Sequence, residues 1–433
     1  MEMNALVDGT IVREEPFGFF IAFADGHMGF FDKRASSLIE VGTKVNIPQS
    51  WFSYFRKEDI KVPTRSNWNY QLKHPLIVTL ELTRQCNCKC DVCYIDGGEP
   101  RPHEMSDNQL FRVLEQLVSA KVSCVQLNGG EPLLHPLLPE IISYLHNHGI
   151  VLSLVTNGIL LNETFIKTLP RKDFGLGLSV DSYAQNHIIR GDQASFDALK
   201  PNVRMLRDYG IPFHLISTLS KQNIHDVLLL IEWCRKNDVM LDTLESQPLG
   251  RARLNDHLLL DEDDLPMHEA IYRGKQKLED EYEARHDRSG RFFSGFLRMG
   301  YLFESLTRRC MGGRAIGYIT SEGILYPCSN CASMDLFAAG NVTENTFEAL
   351  WSHGFSQIHS LSWDDFNECK HCDVSRSPYL CTTRCPALSY SLTHELTHPG
   401  CTPYMKKVIL NRTRIHEEMH AEQHKRSEKK TDH

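Results

Sequence analysis

Between residues 75 and 250, short apolar runs alternate with longer amphipathic ones, and this alternation restricts the fold more than any other feature. Strand-length runs are LIVTLEL (76–82), CVQLN (124–128), VLSLV (151–155), FGLGLSV (174–180), FHLIST (213–218) and MLDTLES (240–246). Apolar residues recur at helical spacing over 107–120, 137–147, 195–208 and 224–236. Ser106 and Asp107 stand where a helix N-cap belongs. Strands separated by helix-length segments predict a parallel sheet of α/β class. Six units are too few for a closed eight-unit barrel. They leave a partial (βα)6 TIM-like barrel or an open doubly wound sheet. In either, ligands sit at the carboxyl ends of the strands, so functional residues are expected there.

The 433 residues suggest about two or three domains. Hydrophobic residues make up 41% and charged residues 24%, a composition that supports a large buried core. The net charge of −8 argues against a general nucleic-acid binder, which would carry a basic face. No apolar run reaches the roughly 18 residues of a membrane span. The opening MEMNALVDGTIVREE has no basic segment followed by an apolar stretch. A cytoplasmic protein is expected, with neither nucleic acid nor membrane as partner. Thiols stay reduced there, so the 14 cysteines need a role other than disulfides. Closely spaced ones read first as metal ligands.

LTRQCNCKCDVCY follows the first strand run and places Cys86, Cys90 and Cys93 in a C-x3-C-x2-C pattern. Three thiolates on one short loop can take three corners of a cubane iron–sulfur cluster and leave the fourth iron open. With 14 cysteines in 433 residues, chance produces this triplet at a rate on the order of one to two per cent. Zinc sites more often pair two C-x2-C units. Cys88 lies inside the loop and is not needed for the pattern; it reads as incidental.

This stretch resembles the signature of the radical S-adenosylmethionine superfamily, whose fold is a partial six-unit barrel. The resemblance extends to the other strand ends. Gly129-Gly130-Glu131-Pro132 follows the second strand and resembles the family's GGEP motif, which holds the methionine amino group. Main-chain groups left free by two glycines, with one carboxylate, suit an ammonium. Thr156 and Asn157 follow the third strand, Ser179 and Asp181 end the fourth, and Arg190 comes shortly after. In similar enzymes these regions contact the ribose and the methionine carboxylate. Tyr94 follows the last cysteine, where family members place an aromatic residue near the adenine. The resemblance implies a [4Fe–4S] cluster and S-adenosyl-L-methionine as cofactors. It also implies reductive cleavage to a 5′-deoxyadenosyl radical that takes hydrogen from an unactivated carbon.

Cys310, Gly323 and Cys328 fit C-x12-G-x4-C, and Cys369, Cys372, Cys381, Cys385 and Cys401 follow. This resembles the SPASM extension of the superfamily, which carries two auxiliary four-iron clusters. The family spacing is C-x2-C-x5-C-x3-C, and the middle gap here is eight residues. By position, Cys369, Cys372, Cys381 and Cys401 would hold one cluster. Cys310, Cys328 and Cys385 would hold the other, with Cys331 as fourth ligand or that site left open. Structural zinc is the alternative. Cys124 and Cys234 read as small buried hydrophobes. His394-Glu395-Leu396-Thr397-His398 matches the HExxH zinc-protease motif, which works only on a helix. Pro399-Gly400 follow at once, so the match is expected to be fortuitous.

Residues 1–73 are expected to form a small α+β domain. The stretch REEPFGFFIAFADGHMGFFDK has two aromatic-rich runs around Asp25-Gly26, a hairpin dipeptide, and a short helical stretch follows near Arg34 to Ile39. It resembles the peptide-recognition domain of maturases that act on ribosomally made peptides. Residues 74–253 are expected to form the barrel and 254–309 a helical bridge. Residues 310–404 would form the cysteine-rich Fe–S domain, and 405–433 a helix with a charged tail. The resemblance implies a peptide maturase that oxidatively modifies a precursor peptide through a carbon–carbon or thioether crosslink. The leader would add as a strand to the N-terminal sheet, and flavodoxin or ferredoxin would be the reductant. One alternative is a sulfatase-type Ser/Cys-oxidising maturase, against which Ser329 stands where those enzymes carry an aspartate. A zinc-binding module is the non-catalytic alternative. No general base is identified.

Overall fold

The computed structural model describes residues 11–16, 18–22, 28–32, 71–191, 194–286, 293–332, 334–372, 374, 381 and 384–431. Strands β1 (Ile11–Glu15), β2 (Gly18–Ala22) and β3 (Met28–Asp32) form a small antiparallel sheet. The six expected runs all form strands: β4 (Ile77–Glu81), β5 (Cys124–Asn128), β6 (Val151–Thr156), β7 (Phe174–Ser179), β8 (Phe213–Leu219) and β9 (Leu241–Glu245). They pair in sequence order, all parallel. Three short strands then extend the sheet on the other side of β4. Strand β10 (Ile316–Ile319) lies parallel to β4, with Tyr318 opposite Thr79. Strands β11 (Ile324–Tyr326) and β12 (Gly340–Asn341) follow antiparallel. The sheet ends at β9 and β12, giving an open, partial barrel. The cysteine-rich segment therefore supplies a seventh parallel strand. Runs of four, three and two residues are too short to show a period.

Helices α1 (Asp107–Ser119), α2 (Leu138–Asn147), α3 (Glu163–Thr168), α4 (Asn186–Arg190), α5 (Phe196–Asp208) and α6 (Val227–Asn237) fill the connections. Ser106 starts α1 as expected: its N–H and hydroxyl both donate to Gln109 Oε1, at 3.0 and 2.9 Å. Val78, Leu80, Val125, Leu127, Leu152 and Leu154 pack against Leu114, Leu117, Ile141 and Leu145 in one continuous core. Each such side chain contributes roughly 1.5–3 kcal/mol on burial. The alternate residues Thr79, Gln126, Ser153, Gly175 and Gly177 face the other way, so the inner face is polar or small.

The small sheet sits at the amino ends of the strands. Phe20, Ala22 and Phe30 pack with Leu76, Ile77, Cys124 and Val151, and with Phe296 and Phe303 of α8 (Phe293–Thr307). Arg13 is buried beneath it and donates to the carbonyl oxygens of Pro75 (3.0 Å) and Lys121 (3.2 Å). Strands β2 and β3 carry the two aromatic runs. Residues 23–27 and the helical stretch expected near Arg34 to Ile39 lie outside the described residues. Strand β1 gave no apolar signal because its Arg13 and Glu15 are polar yet buried. Between the barrel and the cysteine-rich segment, α7 (Leu265–Glu283) packs on α6, and α8 lies under β3. No helix of the described residues is long and apolar enough to cross a membrane.

Burial pushes the Glu15 carboxyl up to about 7, against the pull of Arg13 and the Lys73 N–H. The folded state then holds an extra proton between its ordinary value and about 7. Stability must therefore fall as pH rises through that window. Glu15→Gln removes this titration. Thermal melts from pH 4.5 to 8 are expected to show a shallower decline for the variant, whatever its absolute offset.

Candidate functional site

The chain leaves β4 at Glu81 and enters the loop that carries Cys86, Cys88, Cys90 and Cys93. Two main-chain bonds close its base: Cys86 N–H to Gly98 O (2.8 Å) and Gly98 N–H to Arg84 O (3.1 Å). Cys86 Sγ accepts from the Cys88 N–H (3.4 Å) and Cys93 Sγ from the Gly97 N–H (3.3 Å). The Cys86 and Cys93 thiols both feel the charge of Cys90, so the three expected ligands share one locale. The Cys88 thiol lies beside those of Cys86 and Cys90, which amends its reading as incidental. That contact and the nearby Arg190 cation bring Cys90 down to about 7, against the opposing effect of burial.

The turn after β5 lies directly on this loop. A side chain on Gly129 would stand 2.4 Å from Thr83 O, and one on Gly130 would stand 2.2 Å from Gln85 O. Gly130 and Glu131 donate their N–H groups to those same carbonyls, at 2.8 and 2.7 Å. These two amides are thus spent on the cysteine loop. Glu131 is fully buried and accepts from Leu133 N–H (3.0 Å), Thr156 Oγ1 (2.6 Å) and Asn157 N–H (2.8 Å). Burial pushes its carboxyl up while these donors pull it back. Of about four acceptor positions on a carboxylate, one stays open. Pro132 starts a buried turn behind it. Asn157 Nδ2 donates to Asn87 Oδ1 at 2.7 Å, tying the end of β6 to the loop.

Ser179 is buried at the end of β7. Just beyond it, the Asp181 carboxylate pairs with Arg190 Nε at 2.7 Å and accepts the Thr218 N–H at 2.8 Å. Burial would weaken the Arg190 cation, but Asp181 and Cys90 more than restore it. The Tyr94 hydroxyl accepts from Asn128 Nδ2 at 3.0 Å while the residue stays 38% exposed. Asn128 Oδ1 is a buried acceptor without a hydrogen-bond partner among the described residues. Gly250 and Arg251, which follow β9, were missed from sequence. Arg251 donates to Cys90 O (2.8 Å), Gly97 O (2.6 Å) and Asp96 Oδ1 (3.0 Å). Gly250 has φ +54°, and a side chain there would meet Tyr94 O at 2.3 Å. The available signal was a Gly-Arg pair in the same strand-end position as the other motifs.

The second cysteine region falls into two sets. Cys310, Cys328, Cys331 and Cys385 interact with one another, and Cys331 is buried with its Sγ 3.8 Å from that of Cys328. Cys369 lies near Cys372 and Cys381. Arg384 lies near Cys369 and sits 4.7 Å over the Trp363 ring, while its neighbour Cys385 belongs to the other set. Cys401 is exposed, its thiol donating to Thr402 O at 3.6 Å. Among the described residues no three His, Cys, Asp or Glu side chains are placed to share a single metal ion. Helix α9 (Pro386–Thr393) ends at His394, whose φ is +61°. The HExxH residues therefore share no helix face. Cys124 and Cys234 are fully buried as expected.

Residues 80–234 match the family model of the Radical SAM superfamily, and residues 310–373 match the SPASM iron–sulfur cluster-binding domain. The chain carries a radical SAM domain and a SPASM domain. It is a radical S-adenosylmethionine enzyme with a SPASM domain, and [4Fe–4S] clusters and S-adenosylmethionine are its cofactors. The chain is 23% identical over 295 residues to the AdoMet-dependent heme synthase of Methanosarcina barkeri, spanning 64% of this chain and 82% of that protein. It is 29% identical over 178 residues to the Fe-coproporphyrin III synthase of the same organism, spanning 40% and 44%. Among solved structures, Streptococcus suis SuiB bound to its precursor peptide SuiA is similar in fold. That match has a TM-score of 0.60 at 15% identity and covers 83% of this chain and 90% of that one. The anSMEcpe structure with bound AdoMet has a TM-score of 0.58 at 20% identity and covers 78% and 92%.

The residues fit these cofactors. Soft thiolates suit iron–sulfur clusters. The unused acceptors at Asn128 and Glu131 suit an ammonium, and the Arg190 cation suits a carboxylate. Gly130→Ala is expected to force the cysteine loop off the β5 turn. Iron analysis should show the loss of one cluster's worth of iron, with S-adenosylmethionine no longer perturbing the remaining electron paramagnetic resonance (EPR) signal.

Proposed function

We propose that this enzyme oxidatively modifies a ribosomally made precursor peptide, with a carbon–carbon or thioether crosslink as the product. The observation that carries this reading is the small N-terminal sheet. Among the described residues, its strand β3 pairs on one side only. An edge of this kind accepts an extended peptide as an added strand. The cofactors supply hydrogen-atom removal by a 5′-deoxyadenosyl radical and a place for the electron the substrate then gives up.

In this reading Cys86, Cys90 and Cys93 hold the S-adenosylmethionine-binding cluster. Asn128, Glu131 and Arg190 orient the amino acid end of the cofactor, and Tyr94 covers its adenine. Cys310, Cys328, Cys331 and Cys385 hold one auxiliary cluster. Cys369, Cys372, Cys381 and Cys401 hold the second. A ferredoxin or flavodoxin supplies the first electron.

The position of the sheet sets a constraint on the substrate. It lies at the amino ends of β4–β6, while the cysteine loop leaves the carboxyl end of β4. Crossing the length of a strand plus its loop takes roughly 20 Å, or about six extended residues. The modified residues must therefore lie at least about six positions beyond the docked leader segment.

A second reading follows from the two tetrapyrrole-named relatives, which together argue for a porphyrin substrate. Anaerobic reconstitution, reduction by dithionite and incubation with either a candidate precursor peptide or an iron coproporphyrin separates the two. About twelve irons per chain, 5′-deoxyadenosine formation and a peptide lighter by two hydrogens are expected, all turnover being lost in Cys90→Ala. A linker series in the peptide should lose product below about six residues. Change in the porphyrin alone would select the second reading, and zinc with no cofactor cleavage would reject both.

A further inference from the structure

Glu81, the last residue of β4, is fully buried and accepts four hydrogen bonds. Arg84 Nε donates at 2.9 Å, the Tyr318 hydroxyl at 2.5 Å, Ser321 Oγ at 2.9 Å and the Ser321 N–H at 3.3 Å. Three of these four donors come from β10 and the turn after it, with Tyr318 237 residues downstream of Glu81.

Arg84 passes the constraint on. Its Nη1 donates to the carbonyl oxygen of Ile95, and its own carbonyl accepts the Gly98 N–H at 3.1 Å. One residue thus holds both ends of the loop that carries Cys86, Cys90 and Cys93. Its side chain is only 3% exposed, so the pair with Glu81 is desolvated and intolerant of a missing partner. At the other end, the Tyr318 ring packs with Tyr326, Cys331 and Phe337, and Cys328 and Cys385 lie against the same group. Tyr318 therefore shares one packed cluster with the first auxiliary cysteine set and bonds the anchor of the cysteine loop with its hydroxyl.

We propose that Tyr318 and Ser321, acting through Glu81 and Arg84, are positioning residues by which the SPASM region sets the geometry of the S-adenosylmethionine-cluster loop. Without them the barrel keeps its core but not a fixed loop. Ile95 directly follows Tyr94, so the same contact also sets the ring that faces the cofactor. This inference rests on the assignment of Cys86, Cys90 and Cys93 to the cluster and not on the identity of the substrate.

The test uses Tyr318→Phe, which keeps the ring, and Ser321→Ala as a milder companion that keeps the main-chain donor. In metal-free full-length protein, hydrogen–deuterium exchange over residues 84–98 should quicken by about tenfold in Tyr318→Phe, the scale of losing one donor to a buried carboxylate. Ser321→Ala should quicken it less, and exchange in β5–β8 should stay unchanged. In reconstituted protein, S-adenosylmethionine should bind about tenfold more weakly. Its shift of the reduced-cluster EPR signal should broaden, while auxiliary cluster content is retained. KM for S-adenosylmethionine should rise with kcat little changed. Exchange over 84–98 within twofold of wild type in both variants would overturn the proposal. So would equal quickening across all barrel strands, which would assign these contacts to the core instead of the loop. Failure of peptide modification in wild type would count against the proposed function and leave this result untouched.

Discussion

The functional end of this molecule depends on one close approach of backbone to backbone. The turn after β5 presses onto Thr83 and Gln85 through two main-chain hydrogen bonds, at a separation that only glycine permits at positions 129 and 130. That contact fixes where the cysteine loop can lie. It also places Glu131 between β5 and β6, where the carboxylate gathers Thr156 and Asn157. Asn157 in turn reaches back to Asn87 in the loop. Three strand ends are thereby locked into one arrangement, and each lock is a hydrogen bond to a buried group that would be costly to leave unmade.

Buried charge is used in the same way at both ends of the barrel. Glu81 with Arg84 and Asp181 with Arg190 stand at the carboxyl ends, and Arg13 with Glu15 at the amino ends. Such pairs add little net stability, since desolvation offsets most of the attraction. Their partners here come from distant segments: Tyr318 for Glu81, Thr218 for Asp181, and the main chain at Pro75 and Lys121 for Arg13. Each pair ties together stretches that no local preference would bring into register, and loss of one partner leaves an uncompensated charge.

Strand β10 changes how the two family regions relate. The SPASM segment is not an appendage to a finished barrel; it contributes the strand beside β4, whose end launches the cysteine loop. The N-terminal sheet closes the opposite end. The N-terminal sheet and the cysteine loop are thus separated by the length of the barrel strands, and under the proposed function a substrate that uses both must be long and extended.

The strands β4 to β9 were legible to within a residue or two because strand-length runs with apolar residues at alternate positions, clearest in β4 to β8, stand between helical segments. The cysteine triplet, the glycine pair and the strand-end polar residues were legible because their spacing is local. Residues 310–401 showed their cysteines but not β10 to β12, which are too short to carry a period. Arg13 and Glu15 carry no sign of their burial in the sequence, and Arg251 stands in no motif. Amino-acid order alone determined the alternating core and where the closely spaced thiols fall, because side-chain polarity and short spacings suffice for both. Tertiary structure decided that Tyr318 meets Glu81, that Arg251 clasps the cysteine loop, and that the N-terminal sheet lies at the far end of the barrel. Those contacts join residues from 58 to 237 positions apart, and no local pattern of polarity records them.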